Sequence, residues 1–327
     1  MRLKLVPQET KLDFMKPSGI ALAFSGLMMV ASFVLFFVLG LNYGIDFRGG
    51  SMLMVETPEP VAVGEYRDLL SGLEIGDTSV TEINDPAAEL TGAAQNAAMI
   101  RIEQQDDDPA IQADTIKLVS DALKDRFDGL LILSTESVGA KVSGELIQAG
   151  VLAVVAAISA VLFYIWLRFE WQFSVGAVAA LVHDIVLTIG VFALVGLEFN
   201  LAIIAAILTI VGYSLNDTVV VFDRVRENLR RYKKLELAQV LNLSINETLS
   251  RTVMTSVTTL IALLSLYILG GEVIRGFTFA MIWGVIVGTY SSVFVASAVL
   301  LRLDVKRDWS SGAADGKAGT QFANIDA

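Results

Sequence analysis

Apolar and polar positions alternate along this chain on two scales. On the long scale, six mostly apolar runs stand out near residues 18–40, 146–167, 174–195, 199–222, 251–269 and 276–300. Each approaches the roughly 20 residues a helix needs to cross the hydrocarbon layer of a bilayer. The pattern predicts a polytopic membrane protein with six spanning helices. The first run is too long for the apolar core of a signal peptide and no A-x-A-like site follows it, so it is expected to be an uncleaved anchor. On the short scale, residues 41–145 mix two periodicities: "SMLMVET", "SVTEI", "AAMIRIEQ" and "GLLILSTESV" read as strands, "VAVGEYRDLLSGL" and "PAIQADTIKLVSDALKDRF" as helices. Their order is βαββαβ, that of a ferredoxin-like domain. The expected fold class is therefore a membrane bundle of six helices with a ferredoxin-like α+β domain between the first two. In the loop 223–250, "VLNLSINETLS" has helical spacing, which suits either a helix lying along the bilayer surface or a plain connector. The tail "SSGAADGKAGTQFANIDA" is small and polar and is expected to be disordered.

Composition supports the membrane reading and charge orients it. Hydrophobic residues make up 54% of the chain and the mean hydropathy is +0.62, above the roughly 45–50% apolar usage of soluble domains. The formal charge of −11 is unevenly spread. Acidic residues crowd into the domain, including "DDDP" at 106–109. Arg2, Lys4, Lys11, Lys16, Arg168, Arg224, Arg226, Arg230, Arg231, Lys233, Lys234, Arg302, Lys306 and Arg307 all fall on one side of the six spans. Basic residues in short flanks mark the cytosolic side, so both termini are expected there and the domain outside. The chain has no cysteine, which excludes disulfides and thiolate chemistry. Its one histidine, His183, has no second imidazole to complete a zinc site of the HExxH type. Neither a metal nor a cofactor is expected.

The candidate chemistry lies inside the spans. "SLNDTVVVF" places Asn216 and Asp217 within an apolar run. A central Asp costs roughly 2.5–3.5 kcal/mol on insertion, which about a dozen apolar residues at roughly 0.3–0.6 kcal/mol each offset. Its carboxylate should face other helices, with Tyr213, Thr209 and Ala206 on the same face. Arg251 opens the fifth span at similar depth, so it is a candidate to pair with Asp217; the alternative is a snorkelling anchor. Thr255, Thr258 and Thr259 continue that face. Asp184 is a second intramembrane carboxylate, sharing a small, polar face with Gly176, Ala180 and Thr188, whereas the adjoining His183 points about 100° away. Small residues in the second span (Ala149, Ala153, Ala157) and the sixth (Gly284, Gly288, Ser292, Ala296) permit close packing. After the first span, "GIDFRGG" sets Gly44, Gly49 and Gly50 around Asp46, which reads as a strained turn needing positive φ.

Taken together, "GIDFRGG", "ESVGAKVSGEL", "ALVHD", "VGYSLNDTVVVFDRVREN" and "LSRTVMTSVTTL" resemble the SecD/SecF family of the RND superfamily. That resemblance implies a bacterial inner-membrane subunit of the Sec protein translocase, without enzymatic activity, that partners SecD beside the SecYEG channel with YajC. It implies use of the proton-motive force to complete export of a translocating polypeptide after SecA has driven it in. Asp217 matches the family's N-D-[ST] position and Arg251 its R-T position. Arg48 stands where Thr or Lys is frequent in the family. A proton is then expected to alternate Asp217 between an ionised form paired with Arg251 and a released acid, because burial and a nearby cation pull in opposite directions. Two other readings stay open. An intramembrane aspartyl protease would use Asp184 with Asp217, although a G-x-G-D signature is absent. An independent exporter of small molecules would need only RND kinship.

Overall fold

The computed structural model describes residues 10–73, 75–83, 96–104, 108–303 and 305. Asp106 and Asp107 of the acidic run, the basic residues Arg2, Lys4, Lys306 and Arg307, and the polar tail lie outside that set. In chain order, helix α1 (Ser18–Leu39) leads through the short strand β1 (Asn42–Tyr43) and a single turn, α2 (Ile45–Arg48), into a head domain. The head comprises β2 (Gly50–Thr57), α3 (Val63–Ser71), β3 (Thr78–Ile83), β4 (Asn96–Ile102), α4 (Pro109–Arg126) and β5 (Leu131–Val138). Four more elements follow: α5 (Ala140–Arg168), α6 (Trp171–Val195), β6 (Glu198–Phe199) and α7 (Leu201–Arg231). The chain then continues through α8 (Leu237–Leu269), α9 (Glu272–Tyr290), a π-helical turn (Ser291–Ala296) and α10 (Ser297–Arg302).

Among the described residues, six helical segments are long and apolar enough to span a membrane, the last of them running continuously from α9 through α10. They are unequal in how much of themselves they hide. About half of the spanning windows of α6 and α7 (50% each) and 67% of the last span are buried within the chain, against 11% for α1 and 6% each for α5 and α8. The centre is thus α6, α7 and the last span, with the other three peripheral. Close approach at the centre depends on small residues, as the sequence suggests. A Cβ on Gly284 would run into Ile210, and one on Gly288 would meet Ser214 at 3.1 Å. The alanine stripe of α5 behaves otherwise. Ala149 and Ala153 are exposed, and it is Gly150 that lies against α7, at Ile204.

The head domain's four strands stand in the order β3-β4-β2-β5, and every neighbouring pair is antiparallel. Along β2 alternate side chains turn inward, as the period of a one-sided sheet requires. Leu53 and Val55 meet Ile100 and Ile102 of β4, and α3 and α4 lay Tyr66, Leu70, Val119 and Leu123 over them. Asp108 caps α4 by accepting from the Ala110 amide at 2.9 Å.

Residues 223–250, expected to form a connector or a helix lying along the bilayer surface, are neither. Helix α7 runs on to Arg231 and α8 starts at Leu237, so the stretch is a helical hairpin that continues two of the long apolar helices. Polar contacts zip it together: Asn228 donates to Ser244 (3.0 Å) and Glu247 (2.6 Å), and Arg224 pairs with Glu247 at 2.6 Å. The apolar repeat of "VLNLSIN" faces a protein core through Val240, Leu241 and Ile245 and does not face lipid. Residues 10–16 lie along the same hairpin, with Asn242 Oδ1 accepting from the Phe14 and Met15 amides at 2.8 and 3.0 Å.

Candidate functional site

Asp217 lies sixteen residues into α7, roughly 24 Å along the helix from its start at a 1.5 Å rise per residue. It is half-buried at the border of the helix's buried stripe. Its Oδ1 accepts from the Thr252 hydroxyl at 2.5 Å, and its Oδ2, although buried, has no partner among the described residues. The direct ion pair expected with Arg251 is not formed, since no nitrogen of Arg251 comes within 4.0 Å of the carboxylate. Successive residues on a helix point about 100° apart, so only one of Arg251 and Thr252 can face α7. The smaller, buried Thr252 takes that place, and Arg251 is exposed beside it.

The neighbours predicted for this face divide. Tyr213 is half-buried, with its hydroxyl buried and unpartnered, and Ala206 is buried, but Thr209 and Asn216 are exposed. Thr255 and Thr258 are also exposed, and both bond carbonyls of their own helix. The polar stripe of α8 therefore satisfies its own backbone and does not converge on Asp217. Ser256 does cross to the sixth span, where its hydroxyl meets that of Thr289 at 2.7 Å.

Asp184 is held quite differently. It is 1% exposed, and its Oδ2 accepts from Ser214 of α7 (2.7 Å) and from Ser291 of the π-helical turn (2.8 Å). Its Oδ1 meets His183 Nδ1 at 3.0 Å, so the imidazole folds back to its neighbour despite the divergent helical positions. His183 Nε2 has no partner among the described residues, and its ring lies 6.0 Å from that of Tyr290. Close by, Thr218 and Ser292 share a hydrogen bond of 2.9 Å. The π-helical turn adds a residue to the last span at this level, a distortion frequent where a helix must aim side chains at a site. Sequence reading did not single out Ser214, Ser291 or Thr252 as partners. Only Thr252 carried a signal, as the residue following Arg251.

The "GIDFRGG" turn forms a third assembly, at the base of the head domain. Gly49 (φ 75°) and Gly50 (φ 118°) occupy positive φ as expected. Gly44 does not: its φ is −71°, and a Cβ there would displace the Glu198 carboxylate and crowd the Asn200 Cβ at 3.2 Å. Asp46 Oδ2 accepts from the Leu201 amide at 2.9 Å, seating a carboxylate on the N-terminus of α7, where unpaired amides favour negative charge. Strand β1 pairs in parallel with β6, and Glu198 of β6 forms an ion pair with Arg101 of β4. Burial pushes the Glu198 carboxyl up, outweighing the pull of Arg101 downward, with Asp46 and Glu136 adding to the rise. Among the described residues no cluster of His, Asp and Glu has the makings of a metal site.

A six-span membrane protein with carboxylates buried between its helices, and a head domain keyed to one of those helices, defines a class of transport-associated membrane proteins. The family profile "Protein export membrane protein SecD/SecF, C-terminal" matches residues 118–306, and "SecD/SecF GG Motif" matches residues 34–57. The chain belongs to the SecD/SecF family, on its SecF branch. It is 53% identical to the protein translocase subunit SecF of Cereibacter sphaeroides, over 100% of this chain and 99% of that protein. To the SecF subunit of Rhodobacter capsulatus it is 49% identical, over 96% and 98%. The crystal structure of SecDF from Thermus thermophilus, a translocon-associated membrane protein, superposes with a TM-score of 0.79 at 34% identity, covering 93% of this chain. This chain spans 40% of the length of that one.

Proposed function

We propose that this SecF-type subunit couples proton movement to protein export, working with SecD beside the SecYEG channel and YajC after SecA has driven a polypeptide in. The head domain, whose strand order is that of a ferredoxin-like fold, stands in the periplasm and contacts the emerging chain. Both termini and the α7–α8 hairpin face the cytosol of a bacterium whose inner membrane carries the protein. The observation that carries this reading is the half-satisfied carboxylate of Asp217. One oxygen is held by Thr252, the other is buried with no partner, and Arg251 is next in line along α8. Protonation removes the charge that Thr252 steadies. A turn of α8 would bring Arg251 into its place. One charge crossing the full potential supplies roughly 2.3 kcal/mol per 100 mV.

An obligate partner is supported by what the bundle leaves uncovered. Asn216 and Arg251 are exposed within spanning helices, where lipid offers no hydrogen-bond partner. A non-catalytic role is favoured over an aspartyl protease because Asp184 and Asp217 share no partner, and Asp184 is saturated by two serines and a histidine. The test uses inverted membrane vesicles carrying Asp217→Asn together with the partner subunits. Proton conduction and the export step that follows SecA should both fall to the level of vesicles lacking this subunit. Wild-type behaviour in both would end this reading.

A further inference from the structure

Among the described residues, the head domain and the turn at its base are tied to the bundle by the β1–β6 pairing, by the Ser143 hydroxyl donating to the Ile45 carbonyl at 3.4 Å, and by three further ties that gather around Asp46 and Glu198. Two of these three belong to the "GIDFRGG" turn: Gly44 donates its amide to the Phe199 carbonyl at 2.9 Å, and Asp46 accepts from the Leu201 amide at 2.9 Å. The third reaches the sheet itself, where Arg101 of β4 pairs with Glu198 in the link between α6 and α7. Tyr43, Phe47 and Phe199 pack against one another beside this pair, which helps keep it partly dry. The pair still reaches solvent, with side chains 21% and 26% exposed, so protons can exchange with it.

We propose that Arg101, Glu198 and Asp46 form a proton-responsive joint that fixes the head domain to the N-terminus of α7, the helix carrying Asp217. Among the described residues, the charged groups facing Glu198 are Arg101 from β4, Asp46 from α2 and Glu136 from β5. Two of these three are acids, and the carboxyl is desolvated, so its proton is held more tightly in the closed joint than it would be in water. The sign follows by linkage. A carboxyl raised in the closed form stabilises closure fully below the ordinary carboxylate range, and that contribution is lost as pH rises through the raised value. Acid on the head-domain side therefore tightens the joint, and alkali loosens it. This inference stands apart from the reading of Asp217, because both the proton and the moving part lie outside the spans.

The chain has no cysteine, so a pair of spin labels can be placed at Thr81→Cys on the exposed side of β3 and Ser265→Cys near the head-domain end of α8. In the full-length protein in lipid nanodiscs, pulsed EPR should show a second, displaced distance population growing from roughly pH 5 to about pH 9, a range bracketing shifted carboxyls. The ratio of displaced to closed should change by up to about tenfold per pH unit, the limit for one proton. Glu198→Gln should be closed throughout, with a flat profile. Arg101→Gln should give a larger displaced population at the alkaline end and still close on acidification. A flat wild-type profile, or a Glu198→Gln profile identical to the wild type, would overturn the joint. So would loss of the response in Asp217→Asn with its retention in Glu198→Gln, because the proton sensed would then be the one on Asp217.

Discussion

Asp184 and Asp217, two carboxylates on the central helices of this protein, are held in opposite ways. Asp184 sits at the centre, where α6, α7 and the π-helical turn meet, and both of its oxygens are engaged. Asp217 sits at the margin, with one oxygen engaged and the other buried and idle. A saturated acid locks three helices together and has nothing to gain by moving. A half-saturated acid next to an exposed arginine has an alternative partner close at hand. On the proposed reading, what sets the two acids apart is unfinished hydrogen bonding at an interface rather than burial alone.

The sharpest way to break this comparison is to remove Asp184. Asp184→Val leaves Ser214, Ser291 and the His183 Nδ1 without their acceptor, at about 1–3 kcal/mol for each buried group that finds no substitute. The folded fraction in mild detergent, followed by thermal aggregation, should collapse, whereas Asp217→Asn should unfold within about 0.5 kcal/mol of the wild type. Equal losses in both variants would erase the distinction. A smaller effect is expected from Thr252→Val. Interhelical side-chain hydrogen bonds in membranes are worth about 0.6 kcal/mol on average and at most about 1.7, so stability should drop by that much while export falls further. Export that tracks stability alone would make Thr252 a packing residue. Smallest of all is Asn216→Ala, whose side chain is exposed. In the isolated chain it should shift stability by less than about 0.5 kcal/mol, with any loss appearing only in co-purification with the partner subunit.

The spans and the alternating strands were readable from the sequence because each has a local period that burial enforces. Asp217 was readable for a related reason, since a charge within an apolar run has few bland explanations. Its true contact was not readable. Choosing between Arg251 and Thr252 depends on the rotation of α8, which is set by Ser256 against Thr289 and by the hairpin contacts of Asn228 and Glu247, all distant in sequence. Ser214 and Ser291 escaped notice because serines are common in spanning helices and their aim depends on an irregular turn. Glu198 looked like one acid in a short link, and its weight comes from Arg101, 97 positions away. The hairpin is not legible in the sequence because an amphipathic repeat does not say whether lipid or protein meets its apolar side.

Helix α7 carries one further consequence. It is unbroken for 31 residues, about 46 Å at 1.5 Å per residue, from the amide that Asp46 holds to the basic tip at Arg231. A stiff rod of that length works as a pointer. A tilt of only about 10° would swing its far end by roughly 8 Å over that length, enough for whatever docks there to register the posture of the head on the other face of the membrane.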